Sequence, residues 1–282
     1  MSAPARWLPA AALLLGGCES HVTVDLTDGP TDGVQEVVLD ITHVALQTAD
    51  GDIVRFALED PGPVDVLALR NGATFRLVRE RTIDPDRFVG LALDFAATGS
   101  FATRDDGGEV TINPPAARVF ADLDLTVGEG ESERLVLDLN LRFSLVDNGS
   151  GTYDLAPVVR AVRPFETGTV TGVVAATFVE STGCQAGRAA GTGVAVYAFE
   201  GTGVTPNDYT GQANLIDADD VELDLASSEY RYDLHFLPAG DYTLALTCQA
   251  DADDPTSDDA VTFDSTADVS VPASSTVQLN FL

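Results

Sequence analysis

Between residues 135 and 145 the chain sets Leu135, Leu137, Leu139, Leu141, Phe143 and Leu145 at every second position, with Val136, Asp138, Asn140, Arg142 and Ser144 between them. A period of two sends alternate side chains to opposite faces of an extended chain, so this stretch predicts a strand with one buried face. Shorter alternations recur at Val54, Phe56 and Leu58, at Phe75 and Leu77, at Val89, Leu91, Leu93 and Phe95, and at Val119, Ala121, Leu123, Leu125 and Val127. Asp50, Gly51, Asp52 and Asp105, Asp106, Gly107, Gly108 separate such runs as turns. No sustained helical stripe competes with them. Residues 64–69 fit a strand or a single helical turn equally well. In the strand over residues 37–46 the alternation slips around His43, which predicts a bulge or an edge position there.

After Pro164 the pattern restarts, with strands predicted over residues 170–179, 194–199, 221–225, 230–236, 242–248 and 277–281. The junction at residues 164–169 is short and lacks the composition of a flexible linker, which predicts two units in contact. Many short strands with Gly-rich turns in both halves predict an all-β protein, two β-sandwich domains in tandem. There is also a weak internal echo. Thr82, Ile83, Asp84, Pro85, Asp86, Arg87, Phe88 and Phe236, Leu237, Pro238, Ala239, Gly240, Asp241, Tyr242 both use a proline-bearing turn to lead an aromatic residue into an apolar strand.

The first residues have a different character. Arg6 precedes a short apolar run that closes on Leu15, Gly16, Gly17 and Cys18. That run is too short to span a bilayer, which takes about 20 apolar residues, and no other stretch approaches that length. The ending resembles the lipobox of bacterial lipoprotein signal peptides. The resemblance implies cleavage before Cys18, removal of residues 1–17, and lipidation of the Cys18 thiol. Several acyl chains would hold the protein at a membrane, since each buried CH₂ adds roughly 0.8 kcal/mol. Glu19 stands where aspartate would favour retention in the inner membrane, so an outer-membrane location is expected in a cell with two membranes.

Two further resemblances follow from longer motifs. Phe236, Leu237, Pro238, Ala239, Gly240, Asp241, Tyr242, Thr243, Leu244 is similar to the hairpin of prealbumin-like, carboxypeptidase-regulatory-like domains. That implies a seven-stranded sandwich over residues 168–282. Val24, Asp25, Leu26, Thr27, Asp28, Gly29, Pro30, Thr31, Asp32 and Tyr153, Asp154, Leu155, Ala156, Pro157, Val158, Val159, Arg160 resemble the start and end of a bacterial lipoprotein domain family of unknown function. That implies a sandwich over residues 18–165. Where that family usually has Ala-Gly-Tyr, this chain has Asp86, Arg87, Phe88.

Charge narrows the partners. Fifteen basic residues face 45 acidic ones, for a formal net charge of −30, and every basic residue is Arg. Such a surface repels nucleic acid, whose binding rests on cationic contacts to phosphate. A solvated acidic coat explains the excess, and a surface that collects divalent cations is the alternative. With Cys18 taken by lipid, Cys184 and Cys248 remain as an even pair, which in an exported domain predicts a disulfide; free thiols or a metal site are the alternatives.

Candidate chemistry is sparse. A nucleophilic triad needs a histidine, and the chain has His21, His43 and His235. His21 is expected in a flexible lead after the anchor. His235, between Leu234 and Phe236, is expected to face solvent. None lies in a motif such as G-x-S-x-G. Acid pairs able to hydrolyse glycosides arise by chance with so many carboxylates. Asp251, Asp253, Asp254, Asp258 and Asp259 crowd one loop and are weak calcium candidates, although Pro255 interrupts the run and Thr256 stands where an EF-hand needs Gly. Asp25, Asp28 and Asp32 are a weaker second group. A glycan platform needs exposed aromatic faces. Trp7 leaves with the signal, and Tyr209 is the one aromatic expected to be exposed. The reading is a non-enzymatic, lipid-anchored envelope protein acting as a structural or interaction module, without a cofactor unless calcium binds weakly. An envelope protein or a glycan is the partner class, and a glycan-binding or calcium-linked ligand-binding lipoprotein is the alternative.

Overall fold

A computed structural model describes residues 19–185, 192–212 and 214–282; Cys18 and the expected cleavage site lie outside them. The first half runs through β1 (Ser20–Gly29), β2 (Val34–Thr48), β3 (Ile53–Asp65), β4 (Phe75–Ile83), β5 (Asp86–Phe95), β6 (Phe101–Arg104), β7 (Glu109–Asn113), β8 (Phe120–Val127), β9 (Ser132–Asn140), a one-turn helix α1 (Leu141–Ser144), β10 (Leu145–Asp147), β11 (Tyr153–Leu155) and β12 (Val159–Val162). The second half comprises β13 (Thr167–Val174), a one-turn helix α2 (Ala176–Val179), β14 (Ala195–Glu200), β15 (Leu215–Asp220), β16 (Glu222–Asp224), β17 (Glu229–Pro238), β18 (Gly240–Thr247), β19 (Ser265–Val271) and β20 (Thr276–Gln278). No helix among the described residues is long and apolar enough to cross a membrane.

The fold is all-β, as the alternation predicts. In the first half a sheet ordered β12-β9-β1-β4 faces one ordered β10-β11-β7-β6-β2-β5-β8, with β3 added against β2. Val22, Val24, Leu26, Leu77, Leu135 and Leu137 of one sheet share a core with Leu39, Val44, Leu46, Leu91 and Leu125 of the other. The second half stacks β16-β17-β13-β20 on β15-β14-β18-β19, with Val170, Tyr232 and Leu234 packed against Val196, Ala198, Leu244 and Leu246. Both halves repeat one device. β1 lies between a parallel neighbour, β9, and an antiparallel one, β4, and β13 lies likewise between β20 and β17.

The paired proline turns deliver their aromatics into the two cores, where Phe88 and Tyr242 are buried. Tyr242 is fixed further, because its hydroxyl donates back to the Pro238 carbonyl at 2.6 Å. This return bond pins the hairpin in the manner of a tyrosine corner. Cys184 and Cys248 are joined in a disulfide that ties the segment after α2 to the end of β18, with Cα atoms 5.1 Å apart. Closing a loop of 64 residues adds about 4 kcal/mol in the chain-entropy model.

Several expectations are corrected. The strand over residues 135–145 is broken: β9 ends at Asn140 and α1 follows. Nor has β9 a single buried face, since residues 135–140 are all buried; of the outward positions, Asn140 bonds Asp217 of the second half and Asp138 reaches it through Arg160. The segment 64–69 divides between the end of β3 and a 3-10 turn at Leu67–Leu69. The strand expected over 170–179 ends at Val174, where α2 takes over. β15 and β19 fall where no strand was expected, because acidic residues in β15 and the sparse apolar positions of β19 mask their period. The strand over 277–281 reduces to β20 and an isolated bridge from Phe281 to Val174. His21 sits inside β1, paired with Thr82 and Ser132, rather than in a flexible lead. At His43 the register of β2 slips against both β3 and β5, as a bulge requires, although β2 is central and not an edge.

Gly172 of β13 is where the second sandwich closes on itself. A Cβ there would stand 1.8 Å from the Leu279 carbonyl oxygen and 2.6 Å from the Tyr232 ring, whose hydroxyl donates to that same carbonyl. Gly172→Ala should therefore lower stability by roughly 1–3 kcal/mol, the usual cost of forcing an extra carbon into a packed site. Urea unfolding with an unchanged midpoint would refute this.

Candidate functional site

The strongest concentration of buried charge lies where the two halves meet. Its first element is α1. Asn140 caps it, accepting from the Phe143 N–H at 3.3 Å, and the turn swings Arg142 and Phe143 towards the second half. Arg142 is 5% exposed. Its guanidinium donates to Asp32 at 2.7 Å and to the Ala250 carbonyl at 3.0 Å, and it pairs with Asp220. Although burial works against the charge, Asp220 and Asp32 hold this guanidinium firmly protonated.

A second arginine repeats the arrangement. Arg160 of β12 pairs with Asp138 of β9 and reaches Asp217 of β15 at 3.4 Å. Asn140 also donates to Asp217, at 3.0 Å. Phe143 fills the space between, stacked on Tyr209 with centroids 4.3 Å apart and set edge-on to Tyr197. It joins Tyr197, Phe199, Leu215 and Ala245 in a third apolar cluster. β14 is thereby buried on both faces, Val196 and Ala198 towards the sandwich core and Tyr197 and Phe199 towards the first half.

Acids outnumber cations at this junction, and the carboxyls respond. Burial and the Asp138 charge lift Asp28 well above the usual carboxylate range. One of its oxygens is buried without a hydrogen-bond partner, while the other accepts from the Leu141 N–H at 3.1 Å. Burial raises Asp217 to about 7, with help from Asp138 and against the pull of Arg160. Asp220 is raised by burial to about 6 in spite of Arg142. Burial also pushes Asp219 well up, against a 2.7 Å hydrogen bond from the Asp233 N–H. A cavity of about 20 Å³ lies beside Asp28, Asp219 and His235, room for about one water.

The sequence candidates fall as follows. Asp25, Asp28 and Asp32 do not converge: Asp25 takes Arg76 and Arg134, Asp28 caps α1, and Asp32 holds Arg142. For Asp25 and Asp32, arginines supply the positive charge that a calcium ion would have brought. Of the acidic loop, Asp253 is buried, and its carboxylate comes within 4.8 Å of those of Asp259 and of Asp208, a residue the sequence reading passed over. Asp251, Asp254 and Asp258 are exposed and outside that group. Tyr209 is half-buried against Phe143 rather than exposed.

His235 does not face solvent. It is half-buried against Gly72, whose positive φ of 74° and missing side chain make room for the ring, and burial lowers its pKa. Its Nδ1 lies 3.4 Å from Thr169 Oγ1. His43 lies 3.3 Å from an Arg55 nitrogen, and His21 stands beside Glu19.

Sequence reading missed Arg142, Arg160, Asp138, Asp217, Asp219 and Asp220. Two signals pointed there: a lone arginine inside the longest apolar alternation, and the unbroken apolar run of β14, which demands cover on both faces.

Two expectations follow from the junction. Arg142→Met leaves Asp32 and Asp220 facing each other without a cation, and should cost about 3–5 kcal/mol in urea unfolding at pH 8. The raised carboxyls work in the opposite sense to ordinary acids: the stability they add is full below about pH 4, their unfolded range, and is lost as the pH climbs through about 6 for Asp220 and about 7 for Asp217. The melting temperature should therefore rise between pH 8 and pH 5. Asp219→Asn, which removes a buried carboxyl that has no arginine partner among the described residues, should raise it at pH 8 by roughly 2–4 °C per kcal/mol recovered and raise it less at pH 5. A flat profile for both proteins would contradict the assignment.

Residues 19–157 match the model of a family described as "Domain of unknown function (DUF4382)". No curated protein matches the chain. Among solved structures, the minor pilin of Streptococcus agalactiae is 15% identical, with 92% of this chain and 94% of that one covered and a TM-score of 0.20. A putative cell adhesion protein from Bacteroides fragilis is 6% identical, with 92% of each chain covered and a TM-score of 0.21. Another from Bacteroides eggerthii is 11% identical over 94% of this chain and 87% of that one, at 0.17. Scores at this level carry no inference from those proteins to this one. The first half of the chain, residues 19–157, carries a DUF4382 domain.

Proposed function

We propose that this chain is a non-enzymatic lipoprotein of the cell envelope, cut before Cys18 and anchored through it, with two sandwich domains (residues 18–165 and 168–282) that act as a structural or interaction module. The observation that carries the reading is the start of β1 at Ser20. Glu19 alone separates the lipobox cysteine from a strand hydrogen-bonded on both sides, to β4 and to β9. An anchor so placed leaves almost no tether.

From there β1 runs ten residues, about 33 Å at the rise of an extended chain. It ends at Gly29, where an added Cβ would stand 3.5 Å from the Ala218 carbonyl of the second half. The buried charges of the junction gather at this far end of β1 and β9. On this reading the first half is a pedestal, and the second is held in a defined pose on it by Arg142 and Arg160. The return bond from Tyr242 to Pro238 supports treating the second half as prealbumin-like. Glu19 after the cysteine supports the outer membrane as its location, facing the periplasm or the cell surface, with another envelope protein or a glycan as the partner class.

Mass spectrometry of the protein purified from membranes should find an N-terminal Cys18 carrying acyl chains, and Cys18→Ser should release the protein into the soluble fraction. Recovery of an unacylated chain that still begins at Met1 would overturn the proposal.

A further inference from the structure

The acidic group at the back of the junction gathers three carboxylates at one point. Several other carboxylates withdrawn from water receive arginines, Asp25 and Asp94 holding two each. Among the described residues no arginine forms an ion pair with Asp208, Asp253 or Asp259. Asp208 is nevertheless 0% exposed and Asp253 7%, and one carboxylate oxygen from each of the three lies within 4.8 Å of the others. Each carboxylate is oriented by donors around it. Asp208 Oδ2 accepts from the Asp259 N–H at 2.6 Å, Asp253 from the Tyr197 hydroxyl at 2.8 Å and the Tyr209 N–H at 3.1 Å, and Asp259 from the Asp254 N–H at 2.7 Å. The remaining oxygen of Asp208, Oδ1, is buried without any hydrogen-bond partner. A buried acceptor left without a donor is costly, and three clustered carboxylates repel one another unless a cation sits among them.

We propose that Asp208, Asp253 and Asp259 form a calcium site. Calcium binds oxygen at about 2.3–2.6 Å, so oxygens on one ion stand no more than about 5 Å apart, a limit this group meets. The donors are hard oxygens with no nitrogen or sulfur among them, which suits calcium, magnesium or manganese rather than zinc or copper. Carboxylates drawn from two separate loops suit the irregular coordination of calcium better than the strict octahedron of magnesium. Half-buried Asp259 leaves the ion a way in from solvent.

The site would also act on the junction. The Tyr209 N–H is bound to Asp253, and the Tyr209 ring stacks on Phe143 of the first half. An ion holding Asp208 and Asp253 together fixes the loop that carries Tyr209, and with it the apolar contact between the halves. This goes beyond the proposed envelope role and does not depend on lipidation.

The test is calorimetric titration of the full chain in detergent with calcium chloride, paired with thermal melting in EDTA and in calcium. The wild type should bind one calcium per chain at the specific site and melt higher in calcium. Asp208→Asn and Asp259→Asn should each weaken that binding at least tenfold and lose the shift in melting, while Asp258→Asn, outside the group, behaves as wild type. Asp208→Asn should melt in EDTA at or above the wild type, because one of the repelling charges is gone; if it does not fold, Asp259→Asn at the solvent side decides. Absence of specific binding by the wild type at millimolar calcium, or wild-type binding by the Asp208 and Asp259 variants, would overturn the site.

Discussion

A guanidinium withdrawn from water has to bring its counter-ions with it, and the organisation of this protein follows from how Arg142 meets that requirement. Its partners come from both halves, Asp32 from the first and Asp220 from the second. To point Arg142 at them the chain abandons an alternation that would otherwise have continued as a strand, and inserts the single turn of α1. The same turn seats Phe143 against Tyr197 and Tyr209. Burying one charge and covering the outer face of β14 are therefore one structural event. Removing either partner strands the other, since an unpaired buried charge costs several kcal/mol.

The all-arginine composition has a physical counterpart in these pairs. A planar guanidinium presents several donors at fixed angles and can bridge two carboxylates; Arg142 and Arg160 each do so across the junction. A lysine offers one compact point of charge and would leave one of the two acids unpaired. Even so, the acids are in surplus. Burial then favours the neutral form of Asp28, Asp217, Asp219 and Asp220, and proton occupancy becomes part of what holds the halves together. The surface carries its excess negative charge at little cost because water and salt screen it, but the interior has no such recourse.

These two features bear on the proposed role. A module at the end of a flexible linker samples many orientations, whereas one held by a desolvated network keeps a single pose. The connection through Arg163, Pro164 and Glu166 is a short 3-10 turn closed by hydrogen bonds, and the contact beyond it is both apolar and ionic. Stiffness from Ser20 to the second sandwich is what a pedestal on a membrane requires.

Alternation alone determined the all-β class, the sandwich in each half, the turns at Asp50–Asp52 and Asp105–Gly108, and the slip at His43, because each depends on neighbours in sequence and on the two-residue period of an extended chain. The proline-to-aromatic hairpins were legible for the same reason. Local pattern could not tell that Arg142 is buried, that Asp217 and Asp219 face inward, that His235 and Tyr209 are covered, or that Asp208 approaches Asp253 and Asp259. Each of these depends on which surface of the second half lies against the first, or on which loop folds over which. A charged residue reads as exposed until a counter-ion 78 or 110 positions away is brought within hydrogen-bond distance, and only tertiary packing, which removes the water between them, decides that it is not.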